Sequence, residues 1–182
     1  MQLAPMPFLR DTIIASEFSL WRYRASLNID VDDATWRRTT LGEGATAIVA
    51  AAEPNLSFKT DFAMPTLSFK DRGAAVMMAQ AAAWGVTRVA VDSSGNAATS
   101  VAAYAARLRM ACDVFVPAST SDGKLRQIAA HGATIHKVEG TREDTADAAQ
   151  NFLDGRAGCA RGLRKTHRFR RGSSGPRPLC LR

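Results

Sequence analysis

From residue 86 to 153 the sequence alternates between short apolar runs and longer alanine-rich or amphipathic segments. No other feature limits the possible folds as much. Arg88–Asp92, Ala111–Pro117 and Thr134–Val138 have strand length and are rich in Val, Ile and other apolar residues. Between them, 97–108 and 121–131 read as helices, the second stopped by Gly132, and a last helix runs from Arg142 to about Leu153 after Thr141. The joints are short and rich in Gly and Ser. Strands and helices that alternate in this way build a parallel, twisted sheet with helices on both faces, an α/β fold. Ligands of such sheets bind where loops leave the carboxyl ends of the strands.

The upstream part is less regular. Residues 1–18 show no period and read as an irregular arm. Ser19-Leu20-Trp21-Arg22-Tyr23-Arg24 carries large amphipathic side chains that can pack and still reach water. Asp32–Trp36 can begin a short helical turn, and Leu41-Gly42-Glu43-Gly44-Ala45-Thr46 reads as a tight turn. Ala47–Ala50 reads as a short strand and 56–62 as a half-buried one. A helix then runs from Ser68 to about Trp84, ended by Gly85. Its interior is Ala, Met and Val with almost no charge, so it is expected to be buried against a sheet.

Lys70 falls in the first turn of that helix. Helix N-termini carry partial positive charge and unpaired N–H groups. A lysine shielded from water there, as the neutral amine, can attack a carbonyl and form a Schiff base. The competing reading is an ordinary capped start, with Ser68 as N-cap, Asp71 near the third position and Lys70 in solvent. A second polar junction, Ser93-Ser94-Gly95-Asn96, opens the next helix. Both junctions belong to the same rim of one sheet, where they can converge on one ligand.

The chain has 182 residues, 46% of them hydrophobic, enough for the core of one domain or somewhat more. No apolar run is long enough to span a membrane, and the N-terminus lacks the pattern of a secretion signal. Cys112, Cys159 and Cys180 are scattered and odd in number, which fits a reducing cytoplasm rather than a disulfide framework or metal cluster. His131, His136 and Cys112 read as structural. The net charge of +7 is concentrated at one end. Nine Lys/Arg and one Asp give residues 153–182 a charge of +8, leaving −1 for residues 1–152. The tail 154–182 is Arg, Gly, Ser and Pro, reads as disordered, and could bind nucleic-acid phosphates without sequence preference.

Several segments together resemble one family. Pro65-Thr66-Leu67-Ser68-Phe69-Lys70-Asp71-Arg72-Gly73 is similar to the NPTGSFKDRG segment of threonine synthases, pyridoxal-phosphate enzymes of fold type II, the tryptophan-synthase-β-like fold. Ser93-Ser94-Gly95-Asn96-Ala97-Ala98 is similar to their SSGNAA loop, and Leu41–Thr46 to LGEGxT. Ser19–Arg24 resembles SLWRYR, and Ala118–Leu125 resembles ASTSxGKL. These matches run in family order over residues 19–150. The resemblance implies that pyridoxal 5'-phosphate is the cofactor and that Lys70 forms the internal Schiff base with it. Lys70 would also move protons at the substrate's α and β carbons. Phe69 would flank the cofactor and Asn96 would bond its phenolic oxygen. Ser93, Ser94, Gly95 and Ala97 would receive the substrate carboxylate. The implied reaction converts O-phosphohomoserine, an amino-acid phosphate, and water to threonine and phosphate, in an enzyme that pairs as a homodimer. Threonine dehydratase, serine racemase and cysteate synthase carry related segments and remain alternatives.

The departures are specific. Met64 stands where the family often has Asn, Leu67 where Gly is usual, Ala47 where Pro is common, and Arg109 where Gly is frequent. Relatives run to about twice this length, as for two lobes. Their phosphate-binding glycine loop and the hydroxyl residue facing the pyridine nitrogen lie beyond residue 153; Gly172-Ser173-Ser174-Gly175 follows no strand and opens no helix. The expected organisation is therefore an arm at 1–18, the N-terminal part of the enzyme domain at 19–153, and an unrelated basic tail from 154, as a reading-frame change would produce. Such a truncated chain could be inactive.

Overall fold

The computed structural model describes residues 8–155 and 177–181. Helix α1 (Asp33–Thr39) precedes a two-stranded antiparallel ribbon of β1 (Ile48–Ala50) and β2 (Ser57–Lys59). Then come α2 (Lys70–Ala83), β3 (Val86–Asp92), α3 (Asn96–Arg107), β4 (Ala111–Pro117), α4 (Asp122–Ala130), β5 (Thr134–Val138), α5 (Arg142–Asp154) and β6 (Arg177–Leu181). The main sheet has the order β5-β4-β3-β6, and every neighbouring pair is parallel.

Alternate residues of each strand feed opposite faces. Val89, Val91, Cys112, Val114 and Val116 join α1, α2, α3 and α4 in one core, with Trp21, Trp36, Met78 and Tyr104. Ala90 and Phe115 point the other way and pack with Ala149 and Leu153 of α5. Helices thus cover both faces, as the alternation requires. Cys112 is buried among apolar neighbours, and its thiol is pushed up to about 12 by that burial and by Asp113 beside it.

The second face also holds a charged group. Asp113 is buried and accepts from Arg88 Nη1 at 2.6 Å, with His136 Nε2 at 2.9 Å. These side chains tie β3, β4 and β5 together across three adjacent strands. His136 stacks on Phe115 at 4.5 Å between ring centroids. The structural role expected for His136 thus has a carboxylate partner that spacing along the sequence does not reveal.

A second buried carboxylate knots the N-terminal region. Glu43 is fully buried and accepts from Trp21 Nε1 (2.6 Å), the Leu41 N–H (2.8 Å), the Tyr104 hydroxyl (2.8 Å) and the Thr40 hydroxyl (3.2 Å). Burial and the adjacent carboxylate of Glu43 push the Tyr104 hydroxyl far up, so it stays a donor. Gly44 is required here. The Leu20 N–H donates to the Glu43 carbonyl at 2.7 Å, and a Cβ on Gly44 would lie 2.6 Å from the Leu20 nitrogen. Trp21 and Trp36 stack beneath this knot at 5.5 Å.

Three expectations change. The segment 56–62, read as a half-buried strand, is an exposed three-residue strand followed by a short 3-10 turn at Asp61–Ala63. Among the described residues no second sheet covers the ribbon, and its apolar residues Phe58 and Leu56 are exposed. The long helix starts at Lys70 rather than Ser68: Phe69 is its N-cap, and the Ser68 and Phe69 carbonyls accept from Asp71 and Arg72, three residues on, as in a tight turn rather than an α-helix. Arg177–Leu181, expected to lack order, pairs with β3 as an edge strand. The rest of the basic tail, with Gly172–Gly175 and the proposed nucleic-acid contact, lies outside the described residues.

Candidate functional site

The chain reaches Lys70 through a tight turn. The Leu67 N–H bonds back to the Met64 carbonyl at 2.8 Å, with Pro65 fixing the backbone between them. Ser68 is buried and its hydroxyl accepts from the Lys70 N–H at 3.1 Å. The expected capping contact therefore exists, one residue before the position that the backbone makes the N-cap, Phe69. Lys70 is exposed rather than shielded from water, with its ammonium 4.9 Å from the centre of the exposed Phe69 ring.

The second junction follows the carboxyl end of β3. Ser93 and Ser94 are half-buried, and the Ser93 hydroxyl accepts from the Gly95 N–H at 3.3 Å. Gly95 is the N-cap of α3 and offers no side-chain cap, so the first-turn N–H groups are left for another acceptor. A Cβ built on Gly95 would meet nothing within 4 Å, so the space before the helix is open. Asn96 is the first residue of α3 and is exposed; Ala97 is half-buried.

Lys70 and Asn96 open neighbouring helices. Helix α2 leads into β3 and so runs antiparallel to it, and α3 leaves the carboxyl end of β3. Both N-termini therefore lie at the rim formed by the carboxyl ends of the strands. One side chain ties the first turn of α2 to the second turn of α3. Asp71, fully buried, accepts from the Thr66 N–H at 2.7 Å, from the Thr66 hydroxyl, and from the Ser100 hydroxyl of α3. Ser100 lies four residues after Asn96, one helical turn along the same face.

Arg72 ties in the ribbon. It pairs with Asp61 at 2.9 Å and donates to the Thr46 hydroxyl at 3.2 Å. Thr46 donates to Asp61 at 2.8 Å and accepts from Lys59 Nζ at 2.6 Å. The Arg72 guanidinium, with Thr46 beside it, holds the Asp61 carboxyl below its ordinary value. The LGEGxT-like turn, the base of the ribbon and the lysine-bearing turn of α2 are thus pinned at one place. Sequence reasoning placed Asp71 near the third position of a capped helix start. It missed Ser100, Thr66 and Thr46; the signal was a set of polar residues inside otherwise apolar or glycine-rich stretches.

Two of the departures carry a backbone consequence. Leu67 (φ 62°) and Arg109 (φ 57°) are both left-handed. Arg109 follows α3, where the Arg109 and Met110 N–H groups bond back to Ala106 and Ala105, the double bond of a Schellman turn. The backbone retains the turns for which glycine is suited, although the glycines are absent.

A family model described as pyridoxal-phosphate dependent enzyme matches residues 39–167. The chain belongs to that family. It is 38% identical over 139 residues to the threonine synthase of Mycobacterium tuberculosis, covering 71% of this chain and 37% of the relative. With the threonine synthase of Bacillus sp. (strain ULM1) it is 43% identical over 95 residues, 52% of this chain and 27% of the relative. With that of Methanocaldococcus jannaschii it is 34% identical over 144 residues, 75% and 35% respectively. The chain spans between about a quarter and little more than a third of the length of these curated relatives. Solved structures agree on the fold: a hydrogen-sulfide-producing enzyme of Fusobacterium nucleatum (TM-score 0.59, 18% identity, 70% of this chain and 44% of that one) and an O-ureido-L-serine synthase (TM-score 0.57, 20% identity, 69% and 42%).

Proposed function

We propose that this chain carries the cofactor-lysine part of a threonine-synthase-like enzyme, acting on an amino-acid phosphate such as O-phosphohomoserine. The observation that supports this most is the Asp71–Ser100 bond, which ties the first turn of the helix that begins with Lys70 to the second turn of the helix that begins with Asn96. The donors present fit part of the cofactor. An exposed amine suits its aldehyde and an amide suits its phenolic oxygen, while an uncapped helix N-terminus beside open space at Gly95 suits the carboxylate of the substrate. Gly172–Gly175, the only phosphate-loop-like stretch in the tail, lies outside the described residues.

When bound, pyridoxal 5'-phosphate supplies an electron sink for charge developing on the substrate. Lys70 Nζ would hold its aldehyde carbon and then carry the proton leaving the substrate's α carbon. Phe69 would shield one side of the ring, and Asn96 would orient it through the phenolic oxygen. Ser93, Ser94, Gly95 and Ala97 would bind the substrate carboxylate and fix which bond at the α carbon stands above the ring.

The test is an absorbance titration of the purified chain with pyridoxal 5'-phosphate. A long-wavelength band that saturates in the wild type, disappears in Lys70→Ala and shifts in Asn96→Ala supports the reading. The same band in Lys70→Ala refutes it.

A further inference from the structure

We propose that Asp71 is the positioning residue of this site: its carboxylate clamps the first turn of α2 to the second turn of α3, below Asn96, and so fixes the separation of Lys70 and Asn96. The inference rests on the reading that those two residues work together. The geometry singles out Asp71 in three ways. It is fully buried, yet among the described residues no cation lies within ion-pair distance of it; Arg72, next along the chain, is committed to Asp61. Its charge is instead met by hydrogen bonds from Thr66 and Ser100 and by its place in the first turn of α2, where the helix dipole favours an anion. Those donors come from both sides of the site, one from the turn that delivers Lys70 and one from the helix that Asn96 opens. The Thr66 and Ser100 hydroxyls are also in contact with each other at 3.2 Å, so the three side chains form a closed triangle.

Burying a carboxylate is costly unless its donors are in place. Stability alone does not explain one here. Both helices also bury apolar side chains in the same core: Ala74, Ala75 and Met78 of α2, and Ala98, Val101 and Ala102 of α3. What the triangle adds is direction at the rim. Apolar contacts are non-directional and allow the helix ends to slide, whereas hydrogen bonds weaken steeply when misaligned. Loss of the clamp should loosen the rim while leaving the helix midsections packed.

The experiment measures the geometry and the chemistry separately. Nitroxide labels on Lys70→Cys and Asn96→Cys, with the native cysteines replaced, report the 70–96 separation in otherwise wild-type, Asp71→Asn, Asp71→Ala and Ser100→Ala chains. The near-ultraviolet dichroism of the Trp21–Trp36 stack reports whether the core survives. In chains that retain Lys70, borohydride after pyridoxal 5'-phosphate reports labelling of that lysine by peptide mapping. Expected are a narrow wild-type distance distribution, broadening in Asp71→Ala and Ser100→Ala with an unchanged tryptophan signal, and partial recovery in Asp71→Asn, whose amide can still accept from Thr66. Labelling at Lys70 should fall about tenfold in Asp71→Ala, the scale set by one hydrogen bond to a charged group. If Ser100→Ala and Asp71→Asn fold and keep the wild-type distribution, the proposal is overturned. So it is if every Asp71 variant loses the tryptophan signal and Ser100→Ala changes nothing. If wild-type Lys70 takes no label while the distances respond as expected, the clamp stands and the cofactor reading falls.

Discussion

Replacing Leu67 by glycine should stabilise the chain relative to replacing it by alanine. Leu67 is left-handed at φ 62° and 68% exposed. The two variants lose nearly the same side-chain contacts, so their difference isolates the backbone. A Cβ in the left-handed region costs about 1–2 kcal/mol. Glycine's freer unfolded chain takes back about 0.4–1 kcal/mol. The net advantage of Leu67→Gly over Leu67→Ala is therefore about 0.5–1 kcal/mol. With a urea slope near 2 kcal/mol per molar, the midpoint should rise by about 0.4 M. Leu67→Ala should fall slightly below the wild type, having lost the buried third of the leucine. Urea unfolding followed by helical circular dichroism measures all three. Coincident midpoints for the Gly and Ala variants, or a lower one for Gly, would refute the claim that the turn before Lys70 is strained by its side chain. Arg109, exposed and left-handed at φ 57°, should show the same Gly-over-Ala advantage.

Glu43→Gln places an amide N–H2 among donors and should cost about 2–3 kcal/mol, seen as tryptophan emission changing at lower urea, whereas the exposed Glu53→Gln should change nothing. Asp144 accepts from the Thr141 N–H and hydroxyl, contacts that hold its carboxyl below the ordinary value of 3.8. A depressed carboxyl stabilises the fold above its ordinary value and loses that contribution as the pH falls through the lowered one. Acid loss of α5 helicity below about pH 4 should thus be smaller in Asp144→Ala, measured as the difference between two dichroism titrations. The Cys112 thiol, pushed up to about 12 and buried, should resist alkylation at pH 8 in the folded chain and react once urea unfolds it; equal rates in both states would contradict the burial.

The alternation from β3 to α5 was legible because hydrophobic period and glycine stops are local signals, and α5 starts at Thr141 as its capping pattern implies. The ribbon was not, because an exposed apolar strand has the same alternation as a half-buried one. The polar ties were hidden for a different reason. Asp71 meets Ser100 across 29 residues and Glu43 meets Tyr104 across 61; no local pattern encodes such a meeting. Lys70 and Asn96 could be named as a pair from their segments, but not the side chains that hold their helices together. The resemblance flagged Leu67 and Arg109 as missing glycines, and the backbone supplies the reason the difference matters.

The most direct measurement is to incubate the full chain with pyridoxal 5'-phosphate, reduce with borohydride, digest, and locate the pyridoxyl group among Lys59, Lys70, Lys124, Lys137 and Lys165. A cofactor site at the helix rim predicts a label concentrated on the Lys70 peptide and reduced in Asn96→Ala. A label spread over the lysines by exposure alone, unchanged in that variant, would contradict it.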